Sequence, residues 1–141
     1  VEAILTLILA ISLEVGVPPN FVLAIALTEN TTLNPRAINH NRNGTTDHGV
    51  MQLNSAYFSH INMNCPEANI RTGVTHIKWL LAHPNICTYW TAALSYNAGT
   101  SWLRNNNPPM VSITYASVVM RKWAELEGGN VGTFINKERY R

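Results

Sequence analysis

Charge is what this 141-residue chain has least of. Only 13% of its residues are Asp, Glu, Lys or Arg, against about 25% in an average soluble domain. Of its eight acids a single one, Asp47, is an aspartate. The formal net charge of +2 is too weak for a nucleic-acid surface, which carries a dense basic patch. Cysteine is scarce as well. Two residues, Cys65 and Cys87, do not make a multi-disulfide framework. The five histidines, at 40, 48, 60, 76 and 83, form no His-Glu-x-x-His pattern and no close pair at helical spacing, so no zinc site is expected. There is no glycine-rich phosphate loop. Ala3 to Leu13 is nearly all apolar, but it is shorter than the roughly 20 residues that span a bilayer. It also lacks the basic leading segment of an intact signal peptide. It is expected to be a buried helix rather than a membrane span.

What is present is 46% hydrophobic residues, enough for one domain with a real core and too little chain for two. The expectation is a single domain over residues 1–141, with 127–141 as a tail of unassigned structure. The pattern is helical. Glu2 to Val15 has helical length and stops at Gly16. Pro18-Pro19 can open a helix but not continue one, and Phe21 to Glu29 follows. Thr31 to His48 reads as loop, with Asn34-Pro35 and Asn43-Gly44 as turn signals. Asn54 or Ser55 caps a short helix running to Ile61. Pro66 and Glu67 open a helix that stops before Pro84. Thr88 to Tyr96 and Val111 to Glu127 are two more. No repeat and no strand-rich region is expected.

The stretch from Thr28 to Asn54 carries the chemistry. One carboxylate, Glu29, ends the apolar run Phe21 to Leu27. Desolvation on an apolar base, with the partial negative charge of a helix C-terminus, raises a carboxyl pKa and keeps a proton available near neutral pH. A polar loop follows, in which Asn39, Asn41 and Asn43 either hold the loop in shape or face a sugar. Asp47 lies in the same loop. The pattern suggests acid-catalysed cleavage of a glycoside.

Several ordered motifs then carry a resemblance. They are Glu29-Asn30, Asn34-Pro35-x-Ala37, Gly49-x-Met51-Gln52, Asn69-x-x-x-Gly73, Ser95-Tyr96-Asn97-Ala98-Gly99, and Tyr115 followed by Val118. Together they resemble the lytic transglycosylases of the soluble-transglycosylase (SLT) type, in the lysozyme-like superfamily. The resemblance implies an all-α, lysozyme-like helical domain with an irregular polar loop flanking the active-site cleft. It implies cleavage of the β-1,4 bond between N-acetylmuramic acid and N-acetylglucosamine in peptidoglycan, with 1,6-anhydro ends, no cofactor and an extracytoplasmic location. The implied partner is the glycan strand. Glu29 would be the general acid and then the base, Met51 and Gln52 would line the cleft, Tyr96 would stand near Glu29, and Asn97 would hold the sugar. Taken alone, Tyr96 reads as an ordinary core tyrosine and Met51 as core packing.

Asp47 leaves two readings open. Its loop, Asn39 to Gly49, also resembles that of animal lysozymes, where the matching aspartate is the second carboxylate of a paired-carboxylate mechanism. A hydrolytic lysozyme using Glu29 and Asp47 is therefore the rival, and a non-catalytic wall-binding module is a second. The bland alternative for Asp47 is a loop cap that bonds backbone amides. Small transglycosylases associated with secretion machinery share the loop, which leaves a secretion or envelope assembly open as a partner without identifying one. Two positions depart from the family pattern: Asn30 replaces a serine, and Val111 replaces a glutamate. Trp79, Trp90, Trp102 and Trp123 fit helix packing, with sugar stacking an alternative for Trp102. Cys65 and Cys87 flank the ends of a helix on the order of 20 Å long, too far apart for a disulfide, and are expected to be free.

Overall fold

Glycine and proline set the helix boundaries. The computed structural model describes residues 1–129; residues 130–141, most of the expected tail, lie outside the described residues. Helix α1 (Glu2–Val15) ends on Gly16 at φ 89°, a left-handed conformation that glycine alone adopts at little cost. Helix α2 (Pro19–Glu29) begins with Pro19 in its first turn. The two pack together, with Ile4, Ile8 and Ile11 of α1 buried. The expectation of a wholly buried α1 fails on one side, because Leu5, Leu9 and Leu13 stay exposed. A helix apolar all round gives no pattern from which to tell its buried stripe from its solvent stripe.

Between α2 and the next helix the chain forms a small antiparallel sheet, two of whose three strands lie where a loop was expected. Strands β1 (Ile38–His40), β2 (Thr46–His48) and β3 (Leu53–Asn54) lie in that order. Asp47 is paired with Asn39 on one side and Asn54 on the other. Strands of two or three residues, rich in Asn and without alternating β-branched residues, carry no strand signal. Helix α3 (Ser55–Phe58) is shorter than expected and is capped by Asn54, whose Oδ1 accepts from the Ala56 N–H at 2.9 Å. Helix α4 (Pro66–Ala82) follows. Cys65 and Cys87, on either side of it in the chain, are both free thiols, as expected.

The chain divides into two compact units at Thr75/His76. In the second, α5 (Tyr89–Ala98) starts with a reciprocal cap. The Thr91 N–H donates to Thr88 Oγ1, and the Thr88 N–H donates to Thr91 Oγ1, both at 3.1 Å. A 3-10 turn at Ser101–Arg104, not foreseen, leads to α6 (Met110–Leu126). Helices α5 and α6 pack together, with the Tyr89 and Trp123 rings edge to face at 5.0 Å.

Side-chain amides, not charges, tie the first unit together. Gly49 sits at φ +75°, and its N–H donates to the Ala37 carbonyl at 2.8 Å. Its own carbonyl accepts from Gln52 Nε2 at 2.9 Å and from Asn30 Nδ2 at 3.2 Å. Asn69, only 1% exposed, projects from α4 into the same turn. Its Nδ2 donates to the carbonyls of His48 and Met63, each at 2.8 Å, and its Oδ1 accepts from the Met51 N–H at 2.9 Å. A Cβ on residue 49 would stand 2.4 Å from Asn69 Nδ2, and one on Gly73 would stand 2.7 Å from the Met51 Cγ. Asn69 and Gly73, four residues apart on one helix face, thus receive the turn together: one by hydrogen bonds, the other by having no side chain. The ion pairs of Arg71 with Glu14 and Glu67 are exposed and add little.

Asn69→Ala strips one buried N–H and two carbonyls of their partner at once. A loss of roughly 2–4 kcal/mol of stability is expected. It should appear as a lower urea midpoint with an unchanged slope.

Candidate functional site

The residues singled out from sequence fall in both units: Glu29, Asp47, Met51 and Gln52 in the first, Tyr96 and Asn97 in the second. Glu29 is the last residue of α2 and is half-buried. The turns beneath it, Phe21, Val22, Ala24, Ile25 and Ala26, are fully buried. Its neighbour Asn30 fixes where the helix stops. The Asn30 N–H closes the helix on the Ala26 carbonyl at 2.8 Å. Its side-chain Nδ2 donates both to the Asn34 carbonyl at 2.8 Å and to that of Gly49 at 3.2 Å, while Oδ1 accepts from the Asn34 N–H at 3.2 Å. A serine has one donor and could satisfy only one of the two carbonyls. The departure from serine at this position therefore adds a tether: the residue after Glu29 is bound to the turn that carries Met51 and Gln52.

That turn is built under constraint. Gln52 has φ +52°, a left-handed conformation uncommon for a non-glycine residue. Its side chain holds it there, with Nε2 on the Gly49 carbonyl and Oε1 accepting from Asn39 Nδ2 at 2.6 Å. Both ends of the Gln52 amide are thus occupied within the protein. Met51 is fully buried against Gly73, the packing alternative weighed from sequence.

Asp47 lies in the middle of β2 and is half-buried. Its Oδ1 accepts from Asn54 Nδ2 at 2.9 Å and its Oδ2 from Asn41 Nδ2 at 3.2 Å. The partners are side-chain amides on either side of the strand, not the backbone amides expected of a loop cap. The three alternating asparagines all bond within the protein: Asn39 on Gln52 of the next turn, Asn41 on Thr45 and Asp47, and Asn43 accepting from the Thr45 N–H at 3.0 Å.

In the second unit Tyr96 and Asn97 occupy the last turn of α5, which closes at Gly99 (φ 77°). The half-buried Tyr96 ring is tilted against His76, 5.7 Å between centroids. Burial pushes the His76 imidazole pKa below its ordinary value, because a charged ring would lose its hydration. Asn97 is exposed, and its Oδ1 accepts from the Ser112 hydroxyl at 2.7 Å. Val111, where the family pattern has a glutamate, is exposed in the first turn of α6.

Of the tryptophans expected to pack, Trp102 does so and Trp79 does not. Trp102 is buried, and its Nε1–H donates to the buried Ser95 Oγ at 3.1 Å, so it packs and offers no face to a sugar. Trp79, expected to pack, is 55% exposed. The bond of Asn54 to Asp47, the junction made by Asn69 and the bond of Ser112 to Asn97 were not read from sequence. For Asn69 the signal was its spacing from Gly73; for the other two no pattern distinguishes them from ordinary polar surface.

Comparison with known proteins places these features in a lineage. The invasion protein IagB of Salmonella typhimurium, strains SL1344 and LT2, is 30% identical over 115 residues, covering 74% of this chain and 67% of the relative. IagB of Salmonella typhi is 30% identical over 120 residues, covering 74% of this chain and 66% of the relative. The family model described as the transglycosylase SLT domain matches residues 6–109, a span that takes in Glu29-Asn30, the Gly49 turn, Asn69, Gly73 and the Tyr96-Asn97 turn in order. With its mainly α-helical architecture, the chain belongs to the transglycosylase SLT domain family of the lysozyme-like superfamily.

Proposed function

We propose that this protein is a peptidoglycan lytic transglycosylase acting outside the cytoplasm. It cleaves the β-1,4 bond between N-acetylmuramic acid and N-acetylglucosamine and leaves 1,6-anhydromuramic ends. Glu29 protonates the departing glycosidic oxygen while the acetamido group of the muramic sugar assists at C1. The Glu29 carboxylate then takes the proton of the C6 hydroxyl as that oxygen bonds to C1. Such substrate-assisted chemistry is an exception to the two-carboxylate rule. Met51 and Gln52 shape the wall against which the glycan lies, and Tyr96 and Asn97 contact it.

One observation carries the reading: a single carboxylate ends an apolar helix, and the residue after it is tied to the Gly49 turn by Asn30. Family membership supports the substrate class. The choice of a single-acid mechanism over paired carboxylates is supported by Asp47, each of whose oxygens is engaged by an asparagine of its own sheet region. In this reading Asp47 stabilises the sheet beside the site.

Glu29→Gln should lower the rate of turbidity loss of purified wall sacculi by about 10²–10⁴-fold, with the thermal unfolding midpoint nearly unchanged; a variant keeping most of its activity would remove Glu29 from the mechanism. Mass spectra of digested sacculi should show muropeptides lighter by one water than hydrolysis products. Reducing-end muramic acid alone would instead establish the hydrolytic lysozyme, with Asp47 as its second carboxylate. Asp47→Asn keeps an acceptor between Asn41 and Asn54, so its loss of activity should be modest. A loss as deep as that of Glu29→Gln would make Asp47 part of the chemistry.

A further inference from the structure

Beyond Tyr96, the second unit carries a run of rings that the proposed reaction does not use. His76, Trp79 and His83 lie at i, i+3 and i+7 along and just past α4, on one face. The His76 ring meets Tyr96 at 5.7 Å and stacks on Trp79 at 5.7 Å and 12°; Trp79 meets His83 edge to face at 5.9 Å. These spacings lie in the range of attractive ring pairs. Held between two imidazoles, an indole that is 55% exposed has little rotamer freedom left to lose on binding.

The run ends in a cavity. His83 lines a pocket of about 300 Å³ together with Asn85, Thr100, Ser101, Leu103 and Arg104. The Asn85 N–H donates to His83 Nδ1 at 3.1 Å, which places the proton of the neutral ring on Nε2. Among the described residues, the His83 Nε2–H, the hydroxyls of Thr100 and Ser101 and the Arg104 guanidinium have no protein partner. Among the described residues, no carboxylate lines the pocket. A wall of donors with one fixed cation and no acceptor charge matches an anion. The volume is at the small end of ligand sites, about 300–1,000 Å³, enough for a carboxylate and its neighbouring atoms but not for a disaccharide.

We propose that Trp79 and the His83–Arg104 pocket form a second binding site for the wall polymer, with a sugar ring stacked on the indole and a carboxylate of its attached peptide in the pocket. This rests on the peptidoglycan reading of the protein. The apolar C–H face of a pyranose suits an exposed indole, and a planar carboxylate suits the guanidinium fork. A glycan strand bearing acidic peptides supplies both groups within one repeat, and the ring run starts from Tyr96, which the proposed function already places on the glycan. An acidic protein segment would satisfy Arg104 but would leave that continuity unused.

Binding to insoluble sacculi, measured by depletion in a Glu29→Gln background that leaves the polymer intact, tests the site. Trp79→Ala and Arg104→Ala should each weaken binding about tenfold, with Trp79→Phe and Arg104→Lys recovering part of the loss. On sacculi whose peptide carboxyls have been converted to amides with a carbodiimide and ammonia, Arg104→Ala should bind like its parent while Trp79→Ala remains weaker. Parent-like binding by both alanine variants, when the Glu29 protein cleaves the same sacculi, would overturn the second site and leave the proposed function standing. An undiminished Arg104→Ala defect on amidated sacculi would overturn the peptide carboxylate as its ligand. A Glu29 protein that neither binds nor cleaves sacculi would sink the functional reading itself.

Discussion

The carbonyl of Gly49 and the side-chain amide of Asn69 are the two points on which the first unit depends. Around them meet the end of α2 through Asn30, the sheet through Ala37 and His48, the turn through Met51 and Gln52, and α4. The sequence has little charge with which to make such a junction. Neutral amides suit it better, since each carries donors and an acceptor, and a buried amide with every partner supplied escapes the desolvation cost that a buried ion would incur. Low dielectric strengthens each of these bonds and makes any unpaired member expensive, so the arrangement is held as a set. The helix end that carries Glu29 is positioned by the side-chain amide of Asn30, a neutral group.

The helices were legible in the sequence because their ends are written by stiff or permissive residues: Gly16, Pro19, Pro66, Thr88 and Gly99 each act within one turn of where they stand. The fold class followed from them. The small sheet was not legible, because its strands owe their pairing to side-chain amides rather than to alternating apolar residues. The exposed leucines of α1 were hidden by uniform composition. Trp79 and Trp102 show the same limit. An indole N–H finds its partner in three dimensions, and nothing local to Trp102 announces the Ser95 hydroxyl.

The candidate site was legible as a list of residues and much less so as a set of roles. Glu29 stands, as expected, at the end of an apolar helix. The alternating asparagines came with two readings, and the structure uses Asn41 and Asn43 within the loop and Asn39 to hold Gln52 of the following turn. Asp47 was read as a backbone cap or a catalytic group; its partners are Asn41 and Asn54, the second of which also caps α3 through its Oδ1. One asparagine thus couples the charge of β2 to the start of the next helix, a connection no local pattern encodes.

The bond from the Ser112 hydroxyl to Asn97 settles a polarity. With Oδ1 engaged by Ser112, the exposed amide of Asn97 presents its NH₂ group outward. A primary amide normally greets a partner with either a donor or an acceptor and so discriminates little. Here one lone pair of the oxygen is claimed by α6, and the NH₂ end, which can only give protons, is left open. A group that meets the NH₂ end must arrive with a lone pair, a hydroxyl by its oxygen or an N-acetyl group by its carbonyl. In the proposed transglycosylase, the rotation of a sugar at Asn97 would thereby be biased by a serine that need not touch it.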